Sequence, residues 1–263
     1  MLLAVLAVAA VGWIDDHRSL PASLRFGVHC LAAAAVAVVA VPEPVAAAMW
    51  IMVAGGLAWS INLHNFMDGI DGLLAWQAAF VLTVLAGLAS WTGALPAACA
   101  MLLWAAAVAG FLPFNAPRAR IFMGDVGSGA LGLVIGIAVL ECARHDLAAG
   151  LAAVVACSAF TVDAGCTLLS RMLRGRRWYS AHREHLYQWL VRCGLPHARV
   201  VALYMGWNLF IVLPSIFAII RLRAAAAVVL ALALHGLAVL LWRAGKRACL
   251  RNASRRRIPC CAS

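Results

Sequence analysis

The stretch VAAAMWIMVAGGLAWSINLHNFMDGIDG, residues 45–72, sets seventeen uncharged residues before two asparagines, a histidine and two aspartates. A run of that length approaches the roughly 20 residues that carry a helix across a hydrocarbon core. Carboxylates are costly to keep at the rim of such a segment. Their crowding at one end of an apolar run therefore points to a site.

The same texture extends along the whole chain. Of 263 residues, 65% are hydrophobic and only 12% are charged, and the mean hydropathy is +0.95. Soluble domains are nearer half apolar and a quarter charged. Apolar runs fall at 1–14, 26–41, 45–61, 73–92, 96–114, 127–143, 147–170, 200–220 and 224–242. The pattern predicts an all-α, polytopic integral membrane protein with about nine transmembrane helices joined by short loops. No run alternates polar and apolar residues, which excludes a barrel. A lone signal peptide would account for one run, not for runs that continue to the C-terminus. The organisation expected is a single transmembrane domain over 1–242 followed by a basic tail, 243–263.

A net charge of +11 invites a nucleic-acid reading, but the placement of the charge argues against it. If the first run ends in the cytoplasm, segments 15–25, 62–72, 115–126, 171–199 and 243–263 share that side and hold 18 of the 21 Lys and Arg residues. This is the positive-inside pattern, so the excess is topological and no nucleic-acid partner is expected. Asp15, Asp16, Asp68, Asp71, Asp125 and Glu184 fall on the same side, whereas Glu43, Glu141 and Asp146 face outward. Asp163 lies within a span and is expected to pair with Arg171 or Arg174. Acids gathered at one face, without repeat symmetry between halves, argue against a transporter. The nine cysteines sit mostly in apolar runs and follow neither zinc nor disulfide spacing.

Three stretches carry the chemistry: DDHRSLP at 15–21, NLHNFMDGIDG at 62–72 and NAPRARIFMGDVGSG at 115–129. Asp68 and Asp71 are three apart and share a face in helical geometry. Asp125 lies among glycines just before a new helix, whose N-terminus would offer N–H groups to phosphate oxygens. Carboxylates without His or Cys partners favour hard cations, and Mg²⁺ takes one or two of them together with substrate phosphates. Gly127-Ser-Gly-Ala-Leu-Gly132 matches a dinucleotide pattern but follows no strand. Gly132 and Gly136 are expected instead to let helices approach closely. The physical reading is a membrane enzyme that acts on a diphosphate at the cytoplasmic face.

The ordered set DD, NxxNxxDGxDG, FMGDxGS and a late basic, His-containing loop, from about residue 10 to 190, resembles the polyprenyl-phosphate N-acetylhexosamine-1-phosphate transferases. That family includes the phospho-N-acetylmuramoyl-pentapeptide transferases. The resemblance implies transfer of a sugar-1-phosphate from a UDP-N-acetylhexosamine to a polyprenyl phosphate, undecaprenyl phosphate in bacteria, with release of UMP. It implies a bacterial inner-membrane location, a lipid-bilayer setting and Mg²⁺, with Mn²⁺ as a substitute; a homodimer is left open. Asp125 would be the primary metal ligand, supported by Asp68. Asp15 and Asp16 would be the catalytic pair beside the lipid phosphate, Asp16 as base or orienting group. Asn62, Asn65, Asp68, Asp71 and Ser128 would bind the nucleotide sugar, and Phe122 would stack on the uracil.

The late loop RRWYSAHREHLYQWL, 176–190, keeps His185 of the family's HxHH-type pattern but has Tyr187 and Gln188 at the later positions. This variant resembles the O-antigen branch that acts on N-acetylfucosamine or N-acetylquinovosamine, with Arg183 and His185 as sugar or pyrophosphate contacts. The family usually places two further helices before the DD helix, and only fourteen residues precede Asp15 here. A truncated relative that binds nucleotide or lipid without turnover is therefore the alternative expectation.

Overall fold

Long apolar segments fold as helices because hydrocarbon offers no partner for backbone N–H and C=O groups. The computed structural model describes residues 1–41, 47–176 and 182–256, and those residues form helices and no strands. In order they are α1 (Leu2–His17), α2 (Ala22–Ala40), α3 (Ala47–Phe66), α4 (Leu73–Trp91), α5 (Leu95–Asn115), α6 (Gly124–His145), α7 (Leu147–Ala156), α8 (Ser158–Leu173), α9 (Leu186–Arg192), α10 (His197–Trp207), α11 (Leu213–Ile219) and α12 (Ala224–Arg256). Glu43 and residues 177–181 and 257–263, which include part of the late loop and the end of the tail, lie outside the described residues.

Among the described residues, seven helices, with α10 and α11 counted as one, are long and apolar enough to cross a membrane; the bent pair α7–α8 makes eight. The all-α, polytopic expectation holds, and its count of about nine spans is not confirmed. With 16 residues, α1 is about 24 Å long, short of a hydrocarbon core of about 30 Å. The run expected to be continuous over 147–170 is instead broken, with α7 and α8 meeting at 66°. Side chains from neighbouring helices occupy the polar groups at the break. Gln77 Nε2 donates to Ala156 O (3.4 Å), Asn208 Nδ2 donates to Gln77 Oε1 (2.7 Å) and Trp207 Nε1 donates to Ser158 Oγ (3.0 Å). Broken backbone survives at membrane depth only where protein covers it in this way. Between α10 and α11, residues Asn208–Val212 form a π turn just before Pro214, a proline lacking the N–H that a regular helix would need there.

The inner helices are α4 and α6, whose Leu, Ala and Val side chains fill the main core with those of α3 and α7. Contact between α3 and α6 is made at the backbone. A Cβ on Gly132 would lie 2.7 Å from Ser60 O and Ile61 Cα, and Ser60 Oγ donates to Gly132 O at 2.6 Å. Gly136 faces the side chains of Leu57 and Ser60. Both glycines thus sit where close helix packing was expected. α12 runs unbroken through 242/243 to Arg256, so the basic segment begins as helix. Its 33 residues span about 50 Å, and its final turns pack Cys249 and Ala253 against Trp189 of α9.

Candidate active site

Two helix ends and one helix start converge on Asp125. Asp16, at the end of α1, reaches the first turn of α6 and accepts from the backbone N–H groups of Asp125 (3.0 Å) and Val126 (3.2 Å). A helix start carries unpaired donors and the positive end of the dipole, so Asp16 caps α6 from a different helix. Gly124 makes room for it: its φ is +67°, and a Cβ there would lie 2.5 Å from Asp16 Oδ2. The N–H groups expected to face a phosphate are thus held by a carboxylate.

Asp15 accepts from Leu20 N and from Arg25 Nη1, both at 2.6 Å. The same Nη1 lies 2.6 Å from Asp125 Oδ2. On the other side, Asn65 Nδ2, at the end of α3, donates to Asp125 Oδ1 (2.8 Å) and to Ser128 Oγ (3.1 Å). Both oxygens of Asp125 are therefore oriented. Ser128 is fully buried; it supports Asn65 from behind and has no surface to offer a nucleotide. Asn62 lies one turn earlier, turns its amide back to Ala58 O (2.7 Å) and also bonds His29 of α2, so its side chain is used between helices. Asp68 follows the end of α3, and burial, then the charges of Asp125 and Asp16, push its carboxyl up to about 7.

Among the described residues, no three His, Cys, Asp or Glu side chains form a ready-made ion cage. The donor set nevertheless suits Mg²⁺, which takes one or two carboxylates and completes its shell with water and phosphate. Asp68 and Asp125 provide hard oxygen ligands in an over-negative cluster, and the Arg25 guanidinium stands there as a neutralising cation.

Asp71 lies apart from that cluster. Its Oδ2 accepts from Arg118 N (3.2 Å) and Ala119 N (3.3 Å) and lies 3.2 Å from His197 Nδ1. Burial would raise its carboxyl, but these donors outweigh it and hold Asp71 below the usual range. Arg118 has φ +68°, alone among the described non-glycine residues in the left-handed region, and Asp71 ties that loop down. This role explains Asp71 better than the nucleotide contact expected of it. Phe122 is 73% exposed, at the mouth of an apolar cleft lined by Trp104 and Phe111 of α5 and Gly127 and Leu131 of α6.

The described part of the late loop, from His182 on, packs beside Phe66 at the end of α3. His185 is buried and stacks on Phe66 (centroids 6.0 Å apart) and on Tyr187 (5.9 Å), with the His182 ring 5.0 Å away. Burial, then the neighbouring charges of His185 and Arg171, push His182 down to about 4; burial also lowers His185. Arg183 is exposed beside them. Asp163 does not take the expected partners: Arg171 pairs with Glu184, and Asp163 accepts from Leu186 N, Tyr187 N, Tyr204 Oη and Trp242 Nε1. Arg25 and Tyr187 are the site residues that the motif reading missed. Arg25 had one signal, as a basic residue in the first turn of the helix after the aspartate pair. Tyr187 had none beyond its departure from the family's histidine pattern.

A family model described as "Glycosyl transferase family 4" matches residues 1–143. The chain is similar to the decaprenyl-phosphate N-acetylglucosaminephosphotransferase of Mycolicibacterium smegmatis, 31% identical over 240 residues (76% of this chain, 58% of the relative). The Mycobacterium tuberculosis protein of the same description is 30% identical over 247 residues (79% and 60%). A phospho-N-acetylmuramoyl-pentapeptide-transferase of Deinococcus radiodurans is 47% identical over 75 residues (28% and 21%). The chain spans about three-fifths of the length of the mycobacterial relatives.

Proposed function

Because the chain belongs to glycosyl transferase family 4, we propose that it transfers an N-acetylhexosamine-1-phosphate from a UDP-sugar to a polyprenyl phosphate. The mycobacterial relatives are decaprenyl-phosphate N-acetylglucosaminephosphotransferases; our reading for this chain is undecaprenyl phosphate at the cytoplasmic face of a bacterial inner membrane. The observation that carries the proposal is Asp125, set at a helix start with both carboxylate oxygens oriented by Asn65 and Arg25 and with Asp15, Asp16 and Asp68 around it.

An acceptor phosphate oxygen attacks the β-phosphorus of the donor. The bond from that phosphorus to the bridging oxygen breaks, and UMP leaves with that oxygen. Mg²⁺, held by Asp125 and Asp68, would supply charge neutralisation for the diphosphate when bound. Asp16 keeps the first turn of α6, and so Asp125, in place. Arg25 is the cation already at the cluster and sits where it can meet acceptor phosphate once it releases Asp125. A phosphate is largely ionised at neutral pH, so positioning and electrostatics matter more than a base. Phe122 presents an open ring face for the uracil, and Arg183 and His185 face the sugar and diphosphate. The apolar groove lined by Trp59 of α3 and Gly165, Leu168, Leu169 and Met172 of α8 suits an isoprenoid tail. Placing 18 of the 21 Lys and Arg residues on the site's side supports the cytoplasmic orientation. The product would start O-antigen or another cell-envelope glycan, from N-acetylfucosamine or N-acetylquinovosamine if the late loop sets the donor.

The test is UMP release by purified protein given undecaprenyl phosphate, Mg²⁺ and, in parallel, UDP-N-acetylglucosamine, UDP-N-acetylquinovosamine and UDP-N-acetylfucosamine. Release that requires lipid and metal, and that is lost in Asp125→Asn, is expected. Nucleotide binding with no release from any donor would favour a binding relative without turnover.

A further inference from the structure

Asp163 is 2% exposed in α8, inside the apolar bundle, where a carboxylate is costly unless its lone pairs are used. Besides Thr167 Oγ1 of its own helix (3.4 Å), four donors come from three other elements. Leu186 N (2.7 Å) and Tyr187 N (3.3 Å) belong to the first turn of α9, Tyr204 Oη (2.6 Å) to α10 and Trp242 Nε1 (3.0 Å) to α12. None of these donors is a cation. Two of the four are the backbone of the residues that directly follow His185.

The side chains of the same turn are tied down as well. Tyr187 Oη donates to Phe66 O (2.9 Å), Gln188 Nε2 donates to Tyr187 Oη (3.1 Å) and Gln188 Oε1 accepts from His185 N (3.2 Å). Lys246 of α12 donates to the carbonyl of Glu184. Tyr187 and Gln188, which replace the family's later histidines, are thereby used up inside the protein. What this arrangement presents is a pair of imidazoles: His182 and His185 lie against Phe66, and the His182 Nδ1 atom is buried with no hydrogen-bond partner among the described residues. Buried polar atoms normally have partners, so His182 keeps an unused polar atom at this end of the site.

We infer that Asp163 is a positioning residue for the donor end of the site: through the α9 backbone it sets His182 and His185 against Phe66, with Trp242 making α12 part of the same post. The pinning stands on geometry alone; that the histidines meet the sugar diphosphate rests on the transferase reading. The claim also places donor discrimination in His182, Arg183 and His185 and not in Tyr187 or Gln188.

The test compares the full-length wild type with Asp163→Asn and Trp242→Phe. Hydrogen–deuterium exchange over 186–192 reads the pinning directly, and faster exchange is expected at Leu186 and Tyr187 in Asp163→Asn. With UDP-N-acetylglucosamine and undecaprenyl phosphate, kcat/KM is expected to fall by about 100-fold, the scale of loss that a misplacement of about 1 Å can cause. UMP, which lacks the sugar and β-phosphate, should bind with unchanged affinity. Trp242→Phe should give a smaller loss of the same kind, and it decides the matter if Asp163→Asn does not fold. Wild-type exchange and turnover in a folded variant would overturn the inference. So would parallel loss of UMP and UDP-sugar binding, which is what general loosening produces. Absence of turnover in the wild type would sink the transferase reading, while the exchange arm would still decide the positioning.

Discussion

Arg25 Nη1 stands 2.6 Å from Asp125 Oδ2, so an arginine from the start of α2 neutralises the carboxylate proposed to hold Mg²⁺. The same nitrogen bridges to Asp15 at 2.6 Å. This guanidinium counters the mutual repulsion of Asp15, Asp16, Asp68 and Asp125. It competes with any other cation for the negative charge of Asp125.

Competition of this kind predicts that Arg25→Gln binds Mg²⁺ more tightly than the wild type. In EDTA the same variant should be less stable by about 1 kcal/mol, the upper end for partly exposed pairs, and Mg²⁺ should restore the difference. Thermal unfolding with and without metal checks both points. Weaker Mg²⁺ binding in Arg25→Gln would mean that Arg25 assists the metal instead of standing in for it.

Asn65 and Ser128 should differ sharply although they touch each other. Asn65→Asp replaces a donor to Asp125 with a like charge, and kcat/KM should fall by more than about 100-fold, in line with losing an oriented electrostatic group. Ser128→Ala leaves the Asn65–Asp125 bond in place, and the loss should stay near fivefold, about 1 kcal/mol for a single neutral hydrogen bond. Steady-state kinetics on the two variants decides this; equal losses would place Ser128 against substrate.

The histidine pair gives a pH prediction. The unfolded chain protonates its imidazoles below about 6.5, whereas burial keeps His182 neutral until about 4. A depressed histidine costs stability as pH falls, because the unfolded state binds more protons through that window. Stability should therefore decline from about pH 6.5 toward pH 4, and the decline should be shallower in His182→Asn. An NMR titration of the His182 ring with a midpoint near 6.5 would contradict the burial argument.

Close packing of α3 on α6 separates two glycines. A methyl on Gly132 meets backbone at 2.7 Å, while one on Gly136 meets the far end of the Leu57 side chain at 2.9 Å. Gly132→Ala should lose about 1–3 kcal/mol, the usual range for overpacking, and Gly136→Ala clearly less, because Leu57 can move aside. Melting temperatures in detergent rank them.

The helical class, and the gathering of Asp15, Asp16, Asn65, Asp68 and Asp125 at one end, were legible in the sequence because apolar run length and charge asymmetry are properties of the chain itself. The break at Cys157 was not: its neighbours include neither Pro nor Gly, and the groups that stabilise it, Gln77, Trp207 and Asn208, come from other helices. The need of Asp163 for partners is legible in its apolar surroundings, but nothing local in the sequence points to the backbone N–H groups of α9 or to the Tyr204 and Trp242 side chains. Ser128, Asn62 and Asp71 carried motif identities, yet motif spacing does not say which polar side chains turn inward. Asp16 shows the same limit, since a carboxylate that caps a helix 109 residues away in sequence leaves no local signature.

The most direct test of the central claim follows the β-phosphorus. UDP-N-acetylhexosamine labelled at that atom is incubated with the protein, Mg²⁺ and undecaprenyl phosphate, and the lipid phase is extracted. Label in the lipid, matched by unlabelled UMP in the aqueous phase and absent with Asp125→Asn, is the predicted result. Label left in aqueous UDP while sugar reaches the lipid would mean transfer of the sugar without its phosphate and would contradict the account.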